Sequence, residues 1–212
     1  MHDGWLEIAE LPDVANYHLS AARNLALIAD SHTRFDEALA ACVLSVCAAE
    51  AFISTVCFFV VDTAKHADPH PTSILGQASD VIGDALAYQR GTELTTKWSI
   101  IGTTLGGAAW VTDAKWRAFT LLVQIRNELV HFKTADYEQV SPAPNHPHEI
   151  LRKLPAEIEL RNVPHSWSSR LLTPSFARWS VRTVDDLIHS LKSAYASENR
   201  LPAGEREQPE PH

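Results

Sequence analysis

The stretch DAKWRAFTLLVQIRNELVHFKT, residues 113–134, carries a long helical pattern around which the chain is organised. One apolar face recurs at the helical steps of four and three residues: Ala118, Leu122, Ile125, Leu129 and Phe132. A second stripe is Trp116, Phe119, Val123 and Val130, with Arg126 where an apolar residue would continue it. A third stripe is polar: Thr120, Gln124, Asn127 and His131. A helix of core type therefore carries an arginine, an asparagine and a histidine on adjoining faces.

The three polar residues lie near the carboxyl end of this helical pattern, in Arg126-Asn127-Glu128-Leu129-Val130-His131. At about 100° per residue, Asn127 and His131 point the same way, and Arg126 lies about 140° from His131. The arginine side chain must therefore reach round the helix, or the helix must loosen near His131, for the two side chains to meet.

The spacing of Arg126, Asn127 and His131, followed by Phe132, resembles the signature of HEPN domains. The resemblance implies a late helix of a small bundle, and two copies that meet across a dimer to form a metal-independent ribonuclease site. Some HEPN proteins carry a tyrosine two residues after the histidine, which a partner nucleotidyltransferase modifies. Lys133 occupies that position here, so regulation by that route is not expected.

The chemistry of RNA cleavage suits these residue types. A histidine that titrates near neutral pH transfers protons, so His131 is the predicted acid or base. The guanidinium of Arg126 is predicted to hold the phosphate and offset its developing charge, with Asn127 orienting either group. Lys97, Arg117 and Lys133 are weaker candidates for contacts to the RNA backbone. No metal or cofactor is required, and a toxin or defence effector with an antitoxin partner is one setting for this activity.

A second function of a different class stays open. In it, Arg126 caps carbonyl groups or pairs with Glu50, His131 is an ordinary core or surface histidine, and the protein is a non-catalytic helical dimer. Such a dimer would bind a partner protein or nucleic acid. The net charge of −8 favours it over general coating of nucleic acid, although residues 90–133 carry a local charge of +3.

Glu50 is the only charged residue between Ala38 and Val61 of a predicted helix at about residues 35–66. It interrupts a seam that steps by four and three: Leu39, Val43, Val46, Ile53, Cys57 and Val60. We expect Glu50 to support the site by facing Arg126 or His131, the alternative being that it faces solvent. The segment is long enough to span a membrane, but a mid-segment glutamate and the lack of basic flanks favour a soluble buried helix.

Further helices are predicted at 13–30, 74–89 and 93–104, and the last begins at Thr173-Pro174. Residues 134–172 hold five prolines and are predicted to form a long loop that begins beside the motif, with a short strand at 157–160. The histidines at 66, 70, 146 and 148 lie in proline-containing loops and are expected at the surface rather than on zinc.

The predicted fold is therefore all-α: an antiparallel bundle of five to six helices with the proline-rich loop before the last one. We expect one domain over residues 1–198 and a disordered tail over 199–212. With no signal peptide evident and three cysteines that read as small buried residues (Cys42, Cys47 and Cys57), the predicted state is a cytoplasmic homodimer outside the membrane.

Overall fold

The computed structural model describes residues 13–32, 35–67, 93–131, 149–163 and 167–198, and these ranges are mostly helical and contain no strand. The helices, with one short 3-10 helix (Ala108–Thr112) between α3 and α4, are α1 (Asp13–His32), α2 (Phe35–Ala67), α3 (Leu94–Gly106), α4 (Ala114–Val130), α5 (Glu149–Lys153), α6 (Trp167–Leu171) and α7 (Pro174–Glu198). The all-α prediction is confirmed.

Helix α2 is the centre of the bundle, because α1, α3, α4 and α7 all pack against it. One face of α1 consists mainly of alanines and is buried, and it meets α2, whose buried residues are also rich in alanine. Small side chains let the two helix axes approach closely, so this pair needs few large residues. Helix α7 lies against both α1 and α2 and also contacts α3 and α4.

Trp98 of α3, the largest fully buried side chain among the described residues, contacts two other helices. Its ring stacks on Phe52 of α2, with centroids 5.7 Å apart, and lies tilted against Phe119 of α4 at 5.6 Å. Its indole N–H donates to the carbonyl oxygen of Ala49 at 3.2 Å, so its polar atom is satisfied within the core. This contact sets where α4, the helix that carries the motif, meets α2.

Local signals fix the start of α4. Asp113 is its N-cap, and the carboxylate accepts a hydrogen bond from the backbone N–H of Lys115 at 2.7 Å, so the helix begins where the sequence pattern at 113–134 begins. Just before it, Trp110 of the 3-10 helix is buried against Gly102 and Gly106 of α3. The missing side chains of these glycines make room for the indole.

Charged pairs tie the bundle together at its surface. Arg23 of α1 pairs with Asp185 of α7 at 2.7 Å, and Arg178 of α7 pairs with Asp30 of α1. Each side chain is about half exposed, so each pair contributes on the order of 0.2–1 kcal/mol. These pairs help to set how α1 and α7 lie side by side, but they add little to the free energy of unfolding.

The predicted helix boundaries agree with the structure to within a few residues, except that α4 ends at Val130. The strand predicted at 157–160 is wrong. The backbone turns there, since Ile158 N–H donates to the Pro155 carbonyl at 3.1 Å, and Ile158 is buried. The predicted loop 134–172 also contains α5 and α6. His66 lies near the end of α2, so its predicted place in a loop is wrong. The predicted helix 74–89, the other three loop histidines (70, 146 and 148) and the tail 199–212 lie outside the described residues.

Residues 36–58 of α2 are long and apolar enough to cross a membrane by length and composition alone. About half of that window (50%) is buried against the rest of the bundle, as the core helix of a soluble protein would also be. The protein's location therefore stays a prediction.

The fit of Trp110 against α3 gives a first test. A Cβ atom at Gly102 would lie 2.0 Å from the Trp110 indole nitrogen. Gly102→Ala should therefore displace the indole and lower the free energy of unfolding by about 1–3 kcal/mol, the usual range for overpacking. Urea unfolding followed by tryptophan fluorescence measures this change. Thr103→Ala, at the exposed neighbouring position, should change it by no more than about 0.5 kcal/mol. Equal effects would contradict this packing.

Candidate functional site

The motif occupies the carboxyl end of α4 and the first residue beyond it. Asn127 and His131 are exposed, and Arg126 is half-buried. His131 is the C-cap residue with φ −104° and ψ 66°, and its N–H donates to the Asn127 carbonyl at 2.9 Å. The regular helix thus ends just before His131. This loosening is one of the two arrangements by which the side chains of Arg126 and His131 could approach each other. No hydrogen bond joins the side chains of Arg126 and His131 in the described part of the chain.

Arg126 faces α2 at the level of Cys42 and Cys47. Burial raises the pKa of the Cys42 thiol to about 12, while a hydrogen bond with Ser180 and the charge of Arg126 act in the opposite direction. The Nε atom of Arg126 is itself buried and has no hydrogen-bond partner among the described residues. The guanidinium is therefore held at the edge of the core by packing of its stem rather than by an ion pair.

Glu50 and Arg126 act on the same thiol. Burial, and then the negative charge of Glu50, raise the pKa of Cys47, and the positive charge of Arg126 lowers it. Cys47 is only partly buried, and it lies three residues before Glu50 on α2. The carboxylate and the guanidinium are therefore on the same side of the bundle.

The described chain does not pair Glu50 with the motif, so the supporting role of this residue stays a prediction. Glu50 is exposed and makes no ion pair with Arg126 or His131 there. The physical reason is the rotation of α2. Leu39 and Val43, on the same stripe as Glu50, are themselves only half-buried, so this stripe lies at the border of the core.

The weaker RNA-contact candidates are not gathered at the motif. Burial raises the pKa of Cys57 to about 11, and the charge of Lys97 is the largest opposing effect, so Lys97 lies near Cys57. Cys57 is ten residues beyond Cys47, which is about 15 Å along α2. Arg117 is exposed nine residues before Arg126, about 14 Å along α4. Lys133 lies outside the described residues.

An apolar surface beside the motif was missed by the sequence analysis. One side of α2 is only partly covered along its length, and it ends at Phe58, which is 60% exposed. Its members are Ala40, Val43, Leu44, Cys47, Ala51 and Phe58, and we call them the open face of α2. Val130, the last residue of α4, is also 49% exposed. The sequence signal that could have revealed this face was Glu50, the one charged residue in the apolar stretch of α2.

The chemical capacity of the site follows from these positions. An exposed imidazole and an exposed amide lie beside a half-buried guanidinium that no described carboxylate neutralises, and an exposed carboxylate lies nearby. Such a set can bind an anion and transfer a proton. No group of three or more His, Cys, Asp or Glu side chains that could hold a metal occurs within the described ranges.

Comparison of the chain with protein-family models, with curated proteins and with solved structures found no significant match.

The thiol of Cys47 gives a direct readout of this electrostatic arrangement. The thiolate is the reactive form, so a lower pKa speeds alkylation at a given pH. Glu50→Gln should speed alkylation of Cys47 by iodoacetamide and Arg126→Gln should slow it, each by about 1.5- to 5-fold for a charge effect of roughly 0.2–1 kcal/mol. Peptide mass spectrometry of partially alkylated native protein measures the rates between pH 7 and 9.

Alkylation of buried Cys57 in the same samples is the internal control, because neither charge acts on its thiol. If the two substitutions changed the Cys47 rate in the same direction, or not at all, then Glu50 and Arg126 would not face this thiol together.

Proposed function

We propose that the protein is a metal-independent endoribonuclease of the HEPN type, working as a homodimer with the motif at the interface between the copies. The observation that carries the proposal is the exposure of Asn127 and His131 beside the unpaired charge of Arg126. Asn127 and His131 are exposed where α4 ends, beside a guanidinium with no described acidic partner. The resemblance of the motif to HEPN domains supplies the reaction.

In this proposal, Arg126 binds the scissile phosphate. A guanidinium forms charge-assisted hydrogen bonds to phosphate oxygens and offsets the charge that develops on them. Arg126 is half-buried and has no ion pair among the described residues, so the charge of its guanidinium is available to a phosphate, although its buried Nε is not accessible. Asn127 on the exposed side orients the phosphate or the imidazole.

His131 transfers the protons. The 2′-hydroxyl loses its proton to a base and attacks the phosphorus, the bond to the 5′-oxygen breaks, and an acid protonates that oxygen. The products are a 2′,3′-cyclic phosphate and a 5′-hydroxyl. Two copies around a two-fold axis would supply two histidines, so that one acts as the base and the other as the acid.

The open face of α2 supports a dimer at this place. It is apolar, it adjoins the motif, and it carries the exposed Glu50. Covering it with a second copy would bury apolar area near Arg126, and burial there strengthens electrostatic interactions. Glu50, which is unpaired in the described chain, would then act as the supporting carboxylate that the sequence analysis assigned to it.

The same open face favours a second candidate, a helical dimer that binds a partner protein or nucleic acid without cutting. A partly uncovered apolar surface is a usual feature of protein interfaces. The net charge of −8 is also more usual for a protein that binds proteins than for one that coats RNA. Under this candidate, Arg126 is an anion-binding residue and His131 has no chemical task.

Cleavage of total cellular RNA by the purified protein in excess EDTA tests the proposal. We expect the wild type to cut and to leave 2′,3′-cyclic phosphate ends. His131→Ala should lower the cleavage rate by about 10²- to 10⁴-fold, the usual contribution of a general acid or base. Arg126→Ala should lower it by about 10²- to 10³-fold, because charge stabilisation is lost.

The matched control is His18→Ala on α1, which removes a histidine from another helix and should leave the rate unchanged. Circular dichroism checks that every variant is folded. Cutting that survives His131→Ala would exclude the proposed mechanism. Absence of cutting by all of the proteins, including the wild type, would favour the second candidate.

The proposed dimer is tested by one substitution at its edge. Val130→Glu places a charge on an exposed apolar residue beside His131, so it should convert the dimer to a monomer and lower the cleavage rate in parallel. Leu27→Glu, at a residue of α1 that is 66% exposed, makes the same change elsewhere and should alter neither property. Sedimentation velocity measures the mass. A dimer that survives Val130→Glu, or breaks with Leu27→Glu, would not be joined at the motif.

A further inference from the structure

A cleft of about 120 Å³ lies between α1 and α7, and Phe52 of α2 forms part of its floor. On the same measure, about 10–15 Å³ holds one water molecule, so the cleft has room for a small organic molecule. Its lining includes none of the motif residues Arg126, Asn127 and His131. Anything that binds there is a separate property of the fold and does not rest on the proposed ribonuclease activity.

The floor of the cleft is apolar. Leu19 of α1, Phe52 of α2 and Ile188 of α7 line it, and each is at least nine-tenths buried. These side chains belong to the core, so the floor is rigid and preformed. An apolar floor favours a ligand with a carbon framework over a bare inorganic ion.

The rim of the cleft is charged. Arg23, Asp185 and Lys192 lie on it, and Arg23 pairs with Asp185 at 2.7 Å. The Lys192 ammonium lies 5.7 Å from the centre of the Phe52 ring, and Lys192 has no acidic partner among the described residues. Two cations therefore face one carboxylate. This positive excess is unusual in a chain whose net charge is −8.

The Lys192 side chain places its ammonium at the mouth of the cleft rather than extending it into solvent. The face of the Phe52 ring attracts the cation, and Asp185, Ile188, His189 and Lys192 follow one another at helical spacing on the same side of α7. Lysine binds phosphate as a compact point charge, and arginine adds directed donors. The side chain of His189, also on the rim, supplies a further polar group.

We propose that this cleft binds a small phosphomonoester with a short apolar or aromatic group. The phosphate lies between Lys192 and Arg23, and the carbon group rests on Leu19, Phe52 and Ile188. Asp185 holds the Arg23 guanidinium in place and, being negative, limits the affinity for the anion.

Isothermal titration calorimetry of the full chain with phenyl phosphate tests the proposal, with inorganic phosphate and phenol as the two half-ligands. We expect phenyl phosphate to bind more tightly than either, because it alone uses both the floor and the rim. Equal affinity for inorganic phosphate and phenyl phosphate would overturn the proposed role of the floor, and therefore the proposal. Equal affinity for phenol and phenyl phosphate would overturn the proposed role of the rim, and therefore the proposal.

Two substitutions with opposite expected effects on the affinity test the rim. Lys192→Met keeps the length of the side chain over Phe52 and removes its charge, so it should weaken phenyl phosphate binding by about tenfold or more, the loss expected for one charge-assisted hydrogen bond. Asp185→Asn keeps an acceptor for Arg23 and removes the repulsion of the anion, so it should tighten binding severalfold.

Lys153→Met is the matched control. It removes a half-exposed lysine that pairs with Glu149 on α5, and its net charge change equals that of Lys192→Met. It should leave the affinity unchanged. If both lysine variants weakened binding equally, the effect would come from the net charge and the proposal would be wrong. Weaker binding by Asp185→Asn in a protein with unchanged helicity would also overturn it.

Discussion

The hydrogen bond from the Trp98 indole to the Ala49 carbonyl, buried between the rings of Phe52 and Phe119, is the interaction on which the candidate site depends. A buried indole N–H without an acceptor would cost about 1–3 kcal/mol, so α3 cannot slide along α2 without penalty. Since Phe119 packs on the same indole, α4 is fixed against α2 as well. Arg126 lies two turns further along α4, and the fixed position of that helix places it opposite Cys42 and Cys47.

The elements that the sequence predicted correctly are those set by local chemistry. Asp113 caps α4 through its own side chain, and Thr173 does the same for α7, where its hydroxyl accepts from the Phe176 N–H at 3.2 Å. The segment at 157–160 shows the opposite case. Its alternation of charged and apolar residues has the period of a strand, but only Ile158 turns inward, and the Pro155 carbonyl closes a turn with it. Four residues carry too little periodicity to separate a strand from a turn.

The position of Glu50 could not be predicted, because α2 is apolar almost all the way round. From Ala38 to Val61, seams of helical spacing can be drawn on several sides, and only contacts with other helices decide which side is inside. Burial of Ala41 and Ala48 centres the core on the far side of α2, and burial of Val46 and Cys57 brings its border up to Glu50. The single charge was thus a mark of the exposed side, and the partly covered residues around it form the open face. In α4, by contrast, a continuous polar stripe made the exposed side readable from sequence.

The electrostatic state of Arg126 bears on both candidate functions. A half-buried guanidinium usually has a carboxylate beside it, because desolvation of an unpaired charge is costly. Here the carboxylate of Glu50 is close enough to act on the same thiol as Arg126, but the two side chains form no ion pair in the described chain. The positive charge therefore stays available to an anion from outside the chain, whether a phosphate of RNA or an acidic partner. His131 is the residue that separates the two candidate functions. Binding alone needs the charge of Arg126, whereas cleavage also needs an exposed imidazole within reach of the same phosphate, and the end of α4 at Val130 leaves that imidazole exposed and outside the regular helix.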